Sequence, residues 1–489
     1  MDVGHEFTVA LKANGEVYSW GLNDYGQLGL GYTGGIETAP QKVMDGVVSL
    51  SAGHNYVVAA TADGKVYTWG CDNYGQLGHG NPKKNLDTPE EVKFFTDNNI
   101  KIVKVSAGGY EGYGFTLALS DKNEVYGFGI NNGRQISETG AGEFTLPVKI
   151  PVADIIAISA NTIRTSYMLS ASGTVYAMGI ADYGEYGEAK REAIQAVNIG
   201  DGLKAVAIAS GHGSAFAITS DNQVIGWGRS VEGQLGRQAY NVAPTAMSLK
   251  DVVMLDGGMS TLALISNDVF DDETKASFGN IYSSGNNAYG QLGTGDNAHK
   301  YEFGKVKAEE EDKPFNKAIY VATSDMASNS AAISREGNVY VWGLGANGQI
   351  GNGSFESYSK PTTAGVRRMI VSGIPDNRLL VKVGDEGIKL HATVTSGFNV
   401  FGDDIPLGDV AIRAASTNPD VVSISNDSLH KLTYHKPGEA KIVLYDKESG
   451  LYGICQIKER TLATQEPKLT LNDELDHLGM YYSDRKSVV

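Results

Sequence analysis

The sequence predicts an all-β protein, with a first region of repeated small antiparallel sheets of the propeller-blade kind and then a smaller C-terminal β-sandwich. Three observations predict it. The fourteen residues "YSWGLNDYGQLGLG" from Tyr18 are almost rewritten as "YTWGCDNYGQLGHG" from Tyr67. An aromatic-Gly step followed by G-Q-L-G or a variant recurs every 49–59 residues through the first 365, a period typical of stacked supersecondary units. No stretch of that region shows a long 3.6-residue apolar period, whereas short β-branched and aromatic runs are frequent.

Aligned on these landmarks, seven units appear. Their aromatic-Gly steps are "VYSWG", "VYTWG", "VYGFG", "VYAMG", "VIGWG", "IYSSG" and "VYVWG", and their second landmarks begin at Gly26, Gly75, Gly133, Gly184, Gly233, Gly290 and Gly348. A small-residue cluster and an apolar strand come before each step, as in "VGHEFTVAL" and "SAGHNYVVAA", with units four and seven degenerate there. Between the two strands "KANG", "TADG", "SASG" and "SREG" carry hairpin turn chemistry. The glycines of G-Q-L-G suit positive φ or close backbone approach, the Leu suits the space between sheets, and the Gln can satisfy buried backbone groups. The repetition therefore reads as architectural and not as chemical.

Composition narrows the function. The chain has 489 residues with 61 Gly, 13 Pro and 41% hydrophobic residues, which is a turn-rich folded composition. A net charge of −16 disfavours nucleic acid as a partner. Cys71 and Cys455 lie far apart and imply no disulfide framework. No apolar run reaches membrane-span length, and the N-terminal "MDVGHEFTVALKANG" lacks the basic start and apolar stretch of a signal peptide. Met1 stands almost at the first landmark, so the native start is left open.

The V-Y-x-W-G, G-Q-L-G and G-H combination resembles the regulator of chromosome condensation repeat family over residues 1–365. The resemblance implies a seven-bladed β-propeller. From about Val366 the vocabulary changes to alternating apolar and polar residues with Gly, Pro and Asn breaks, which reads as a β-sandwich over 366–458. Its "STNPDVVSIS" and "PGEAKI" resemble bacterial Ig-like domains of the intimin/invasin type, which implies a spacer or adhesion module. Residues 459–489 read as linker or tail. "VRRMIVSG" at 366–373 either supplies an inner strand that closes the propeller or begins the second domain.

Chemical motifs are sparse. "GLGANG" at Gly343–Gly348 matches a dinucleotide fingerprint, but no helix follows and its glycines are repeat landmarks. His5, His54 and His212 share the G-H position, where a packed, hydrogen-bonded imidazole is the economical reading; His430 and His435 fall on opposite faces of a strand. The acidic run Asp268, Asp271, Asp272 and Glu273 lacks the ordered spacing of a calcium loop. All four tryptophans, Trp20, Trp69, Trp227 and Trp342, sit at the aromatic-Gly step, which argues against likeness to the plant ultraviolet receptor of this fold. No catalytic residues, cofactor or metal site are expected.

What varies between units is the residue before the second landmark: Tyr25, Tyr74, Asn132, Tyr183, Glu232, Tyr289 and Asn347. Rotation relates blades, so these positions form a ring near one face, and Tyr25, Tyr74, Tyr183 and Tyr289 are the candidate partner-binding residues. The insertions before unit three, within unit six and after it are further candidates. The expected function is a non-enzymatic binding protein whose propeller loops recognise a protein or glycan. Its Ig-like module points to a bacterial surface, a secreted protein or a phage particle. The alternative is an intracellular regulator such as a small-GTPase exchange factor, a role known in this family for which no residues carry over here.

Overall fold

At Asn14-Gly15 the turn chemistry is realised directly. Gly15 takes φ +89°, and the flanking strands β2 (Phe7–Leu11) and β3 (Val17–Leu22) pair antiparallel with Leu11 opposite Val17. In this computed structural model β1 (Asp2–Val3) and β4 (Ile36–Met44) complete a sheet ordered β1-β2-β3-β4. The next repeat rebuilds it as β5 (Val47–Ala52), β6 (Tyr56–Thr61), β7 (Val66–Gly70) and β8 (Leu86–Glu91). Four-stranded antiparallel sheets follow from Ile102 to Lys149, Ile155 to Ala196 and Ala205 to Lys250. Strands from Val252 to Lys305 and from Ala318 to Thr363 share a larger sheet, joined at the one pairing Gly279–Ala318.

The structure describes residues 1–110, 113–140, 142–160, 164–180, 182–187, 194–271, 276–308, 315, 317–323 and 328–365, then 368–372, 378–380, 386–389, 391–402, 405–406, 412–425, 431–436, 438, 440–446, 452–457 and 468–470. Asp272 and Glu273 of the acidic run, His430 and most of the tail 459–489 lie outside them. The chain divides into a first body, Met1–Ala364 with Asn399–Gly402, and a second, Gly365–Phe398 with Asp403–Val489. In the second body the described strands are antiparallel, with Ala440–Asp446 paired to both Ile412–Ser416 and Tyr452–Ile457. Arg368–Ser372 pairs with His391–Ser396 there, so this stretch supplies no inner strand to the first repeat.

The middle strands of each repeat are apolar on both sides because a neighbouring sheet covers each face. Trp20, Trp69, Trp227 and Trp342 are all fully buried, as are Leu28, Leu77 and Leu292 of the G-Q-L-G loops. Burying one such side chain contributes roughly 1.5–3 kcal/mol. Each junction also carries a directed bond. The indole nitrogens of Trp69, Trp227 and Trp342 donate to the carbonyls of Gln27 (3.0 Å), Glu185 (2.9 Å) and Gln291 (2.8 Å) in the preceding repeat. Where the step lacks Trp, a hydroxyl makes the bond, either from the step itself, Ser284 to Gln234 (3.4 Å), or from the strand before it, Thr116 to Gln76 (3.0 Å) and Ser166 to Gln135 (2.6 Å).

One insertion behaves differently from its sequence reading. The segment before repeat three forms a short helix, Lys93–Asp97, whose Phe95 is fully buried and meets Tyr126 at 5.7 Å and Phe128 at 6.3 Å. Its apolar side chains pack it onto the core, so this part of the insertion is structural.

Candidate partner-binding loops

The G-Q-L-G loop is built by its own side chains. In repeat one Asn23 Oδ1 accepts the Leu28 N–H (3.0 Å), the carbonyl of Asn23 accepts the Gly26 N–H (3.1 Å), and that of Gly26 accepts the Gly29 N–H (2.9 Å). Gly26 and Gly29 take φ +79° and +71°, the left-handed region that favours glycine. At Gly29 space matters as well, because a Cβ there would lie 2.8 Å from Trp69 Nε1. Gln27 folds back so that its Oε1 accepts the Tyr25 N–H at 2.8 Å, which fixes the backbone of the tyrosine and leaves its ring outside the loop.

All four predicted tyrosines occupy this pinned position. Tyr74, Tyr183 and Tyr289 donate their N–H groups to Gln76 (2.8 Å), Glu185 (2.8 Å) and Gln291 (2.9 Å). Tyr25 and Tyr289 are 36% and 46% exposed, whereas Tyr74 and Tyr183 are half-buried. Among the described residues no ring contact joins any two of the four; each keeps its own neighbours. Tyr74 stacks on Tyr113 at 4.8 Å, with Tyr110 5.7 Å further on, Lys83 5.8 Å over Tyr74 and Arg164 6.0 Å over Tyr110. Tyr183 meets Tyr240 at 5.4 Å and Arg229 at 5.7 Å, and burial, followed by Tyr240, raises its hydroxyl pKa.

The aromatic and cationic neighbours Tyr110, Tyr113, Tyr240, Lys83 and Arg164 were not singled out by sequence. The available signal was the stretch "SAGGYEGYGF", longer than its counterparts and carrying two tyrosines. One register also shifts. In repeat three Gly133, not Asn132, stands at the tyrosine position, because the Gly133 N–H binds Gln135 (3.0 Å) and Arg134 takes the left-handed place of Gly26 at φ +62°. Asn132 instead accepts a hydrogen bond from Arg164 at 2.8 Å.

Inside the ring of inner strands lies a polar cavity of about 90 Å³ lined by residues including Asp2, Ser51, Ser106, Ser159 and Asp256. Its side chains bridge neighbouring strands. Asp2 accepts from Ser51 Oγ (3.0 Å) and the Ala52 N–H (2.9 Å), Ser51 Oγ accepts the Ala107 N–H (3.1 Å), and Asp256 accepts the Thr323 N–H (2.9 Å). Burial, and then the charge of Asp2, pushes Asp256 up to about 8. His5 and His54 stack at 4.2 Å, and burial pushes His54 and His212 down to about 4. Nδ1 of both His54 and His212 lacks a hydrogen-bond partner. Among the described residues no group of three or more metal-ligating side chains converges.

Comparison with known proteins follows the same landmarks. The family model for the RCC1-like domain matches residues 45–384. The chain belongs to this family. The regulator of chromosome condensation (RCC1) repeat itself matches residues 14–60. The regulator of chromosome condensation of Xenopus laevis is 27% identical over 71% of this chain and 83% of its own length. The ultraviolet-B receptor UVR8 of Arabidopsis thaliana is 28% identical, covering 72% of this chain and 66% of the receptor. The human E3 ubiquitin-protein ligase HERC2 is 28% identical over 73% of the chain, yet the chain spans only 7% of that ligase. Among solved structures, yeast RCC1 (Prp20) bound to Kap60 aligns at a TM-score of 0.58 and 21% identity, covering 72% of this chain and 84% of that one. The family fold is thus the propeller-like array of four-stranded sheets. Every tryptophan here is buried at a repeat junction, and the identity to the ultraviolet-B receptor corrects the expectation of no likeness to it.

Proposed function

We propose that this chain is a non-enzymatic, protein-binding propeller that works as a regulator, with a small-GTPase exchange factor as its specific form. The observation that carries this is the set of pinned loops, each presenting a tyrosine from a rigid sheet, within a family that includes regulators. Tyrosine gives large contact area at low conformational cost. The yeast relative Prp20 is described with binding properties to Gsp1p and histones, which favours a protein partner over a glycan. A regulator therefore fits better than the surface adhesin expected from the second domain.

The same reading takes the seven sequence units as seven blades, which places Tyr25, Tyr74, Tyr183 and Tyr289 on one ring of loops. The directed bonds at successive junctions support it. Residues 366–458 are read as the Ig-like spacer; the antiparallel pairing of the second body supports that reading, and the expected extracellular, cell-surface or virion setting rests on that resemblance alone.

The test is direct binding of the full chain to a panel of purified small GTPases, with release of a fluorescent nucleotide followed in parallel. Accelerated release establishes exchange activity, and binding without release establishes a regulator of another kind. If no GTPase binds, and partners captured from extracts are equally retained by a folded variant with the four tyrosines changed to Ala, the reading fails.

A further inference from the structure

At successive junctions of the first body two main-chain hydrogen bonds tie a hairpin turn to the start of the next inner strand. Val47 N–H donates to the Gly15 carbonyl (3.0 Å) and Ala62 N–H to the Gly46 carbonyl (3.1 Å). The pair recurs as Ile102 to Gly64 (3.0 Å) with Asp121 to Lys101 (2.9 Å), and as Ala205 to Gly173 (2.9 Å) with Ser220 to Lys204 (2.9 Å). Between the last repeat and the first, the inner strand β1 comprises Asp2–Val3. There one residue, Val400, ties both hairpin turns, where two consecutive residues do so at the other junctions. Val400 N–H donates to the Gly337 carbonyl (2.9 Å), and the Val400 carbonyl accepts the Ala13 N–H (2.7 Å).

From this we infer that Asn399–Gly402, which lies beyond the last repeat in sequence but folds with the first body, is a clasp that closes the ring between the last and first repeats. Its anchoring is specific. Asn399 is 5% exposed, and its Nδ2 donates to the Glu336 carbonyl (2.8 Å) and to Asn338 Oδ1 (2.9 Å), while its Oδ1 accepts the Phe401 N–H (2.8 Å). On the other side Lys12 Nζ donates to the Gly402 carbonyl at 3.2 Å. Val400 is 3% exposed, buried like Val47 at the equivalent place. In that register Phe401, 53% exposed, falls where the second inner-strand residues Val48 (55%), Val103 (49%) and Val206 (56%) fall. With four residues the clasp thus ties both flanking hairpin turns and reproduces the burial alternation of a strand start, an apolar buried residue followed by an apolar exposed one.

The test is amide hydrogen exchange on the full chain carrying Val400→Pro, which removes the N–H that reaches Gly337, alongside the milder Asn399→Ala. The expected result is exchange faster by about tenfold in peptides covering 7–18 and 333–342, with peptides covering 56–69 unchanged. Should Val400→Pro fail to fold, Asn399→Ala is expected to give the same local pattern at smaller amplitude. Unchanged exchange at both hairpins in a folded variant, or a rise spread evenly over all repeats, overturns the proposal.

Discussion

The indole nitrogen of Trp20 donates to the main-chain carbonyl of Gln349 at 2.9 Å, across 329 positions of sequence. Thr8 Oγ1 donates to the same carbonyl at 2.9 Å. This is the bond that Trp69 makes to Gln27 one repeat later, so first and last repeats meet as consecutive ones do.

Replacing Trp20 with Phe keeps an aromatic ring but removes the donor and part of the buried indole. It is expected to cost about 1–2 kcal/mol, as is Trp69→Phe at an internal junction. Chemical denaturation of both variants checks this. A cost at Trp69 with none at Trp20 means that the closing junction carries no load.

Gly29→Ala is expected to cost about 2–4 kcal/mol, since strain at positive φ adds to overpacking against Trp69. Gly34, at φ +88° with nothing within 4 Å of the place a Cβ would take, is the control. Its replacement by Ala is expected to cost only about 1 kcal/mol. Equal costs in thermal unfolding would remove the argument from close approach.

Glu185 stands where other repeats carry Gln, and burial pushes its carboxyl up to about 7. The folded state therefore holds a proton that the unfolded state releases near the ordinary carboxylate range. Stability is fullest at low pH, falls as pH rises between that range and about 7, and stays reduced above it. Glu185→Gln is expected to gain on the order of 1–3 kcal/mol at pH 8 and little near pH 5. Urea titrations at the two pH values measure it, and an equal gain at both would rule out titration as the cause.

Tyr25 and Tyr289 stand out from their loops, so changing both to Ala is expected to shift stability by less than about 0.5 kcal/mol. Tyr74→Ala removes the stack on Tyr113 and is expected to cost about 1 kcal/mol. Melting curves separate the two cases, and partner binding is then read in the pair that leaves stability alone. If that pair destabilises as much as Tyr74→Ala, the loops are structural and their tyrosines are not free for a partner.

How far sequence reasoning reached can be seen in particular residues. The Gly15 turn, the positive φ of Gly26 and Gly29, and the buried Leu28 follow from chemistry within a few positions of each residue, and all were legible. Repeat three shows where that legibility fails. Aligning on glycine selected Gly133, but Arg134 adopts the left-handed conformation, because the Gln-apolar pair that follows fixes the loop more strongly than the glycine does.

By itself the sequence determined the repeat, its hairpins and the place of each tyrosine before its loop glycine, since strand alternation and turn conformation depend on near neighbours. Only the tertiary structure decided which groups meet across junctions: Trp20 with Gln349, Tyr74 with Tyr113, Phe95 with Phe128, and Val400 with both Gly337 and Ala13. The physical reason is that an unpaired backbone group or uncovered apolar face takes whichever partner the folded chain brings within reach, and sequence distance does not limit that choice.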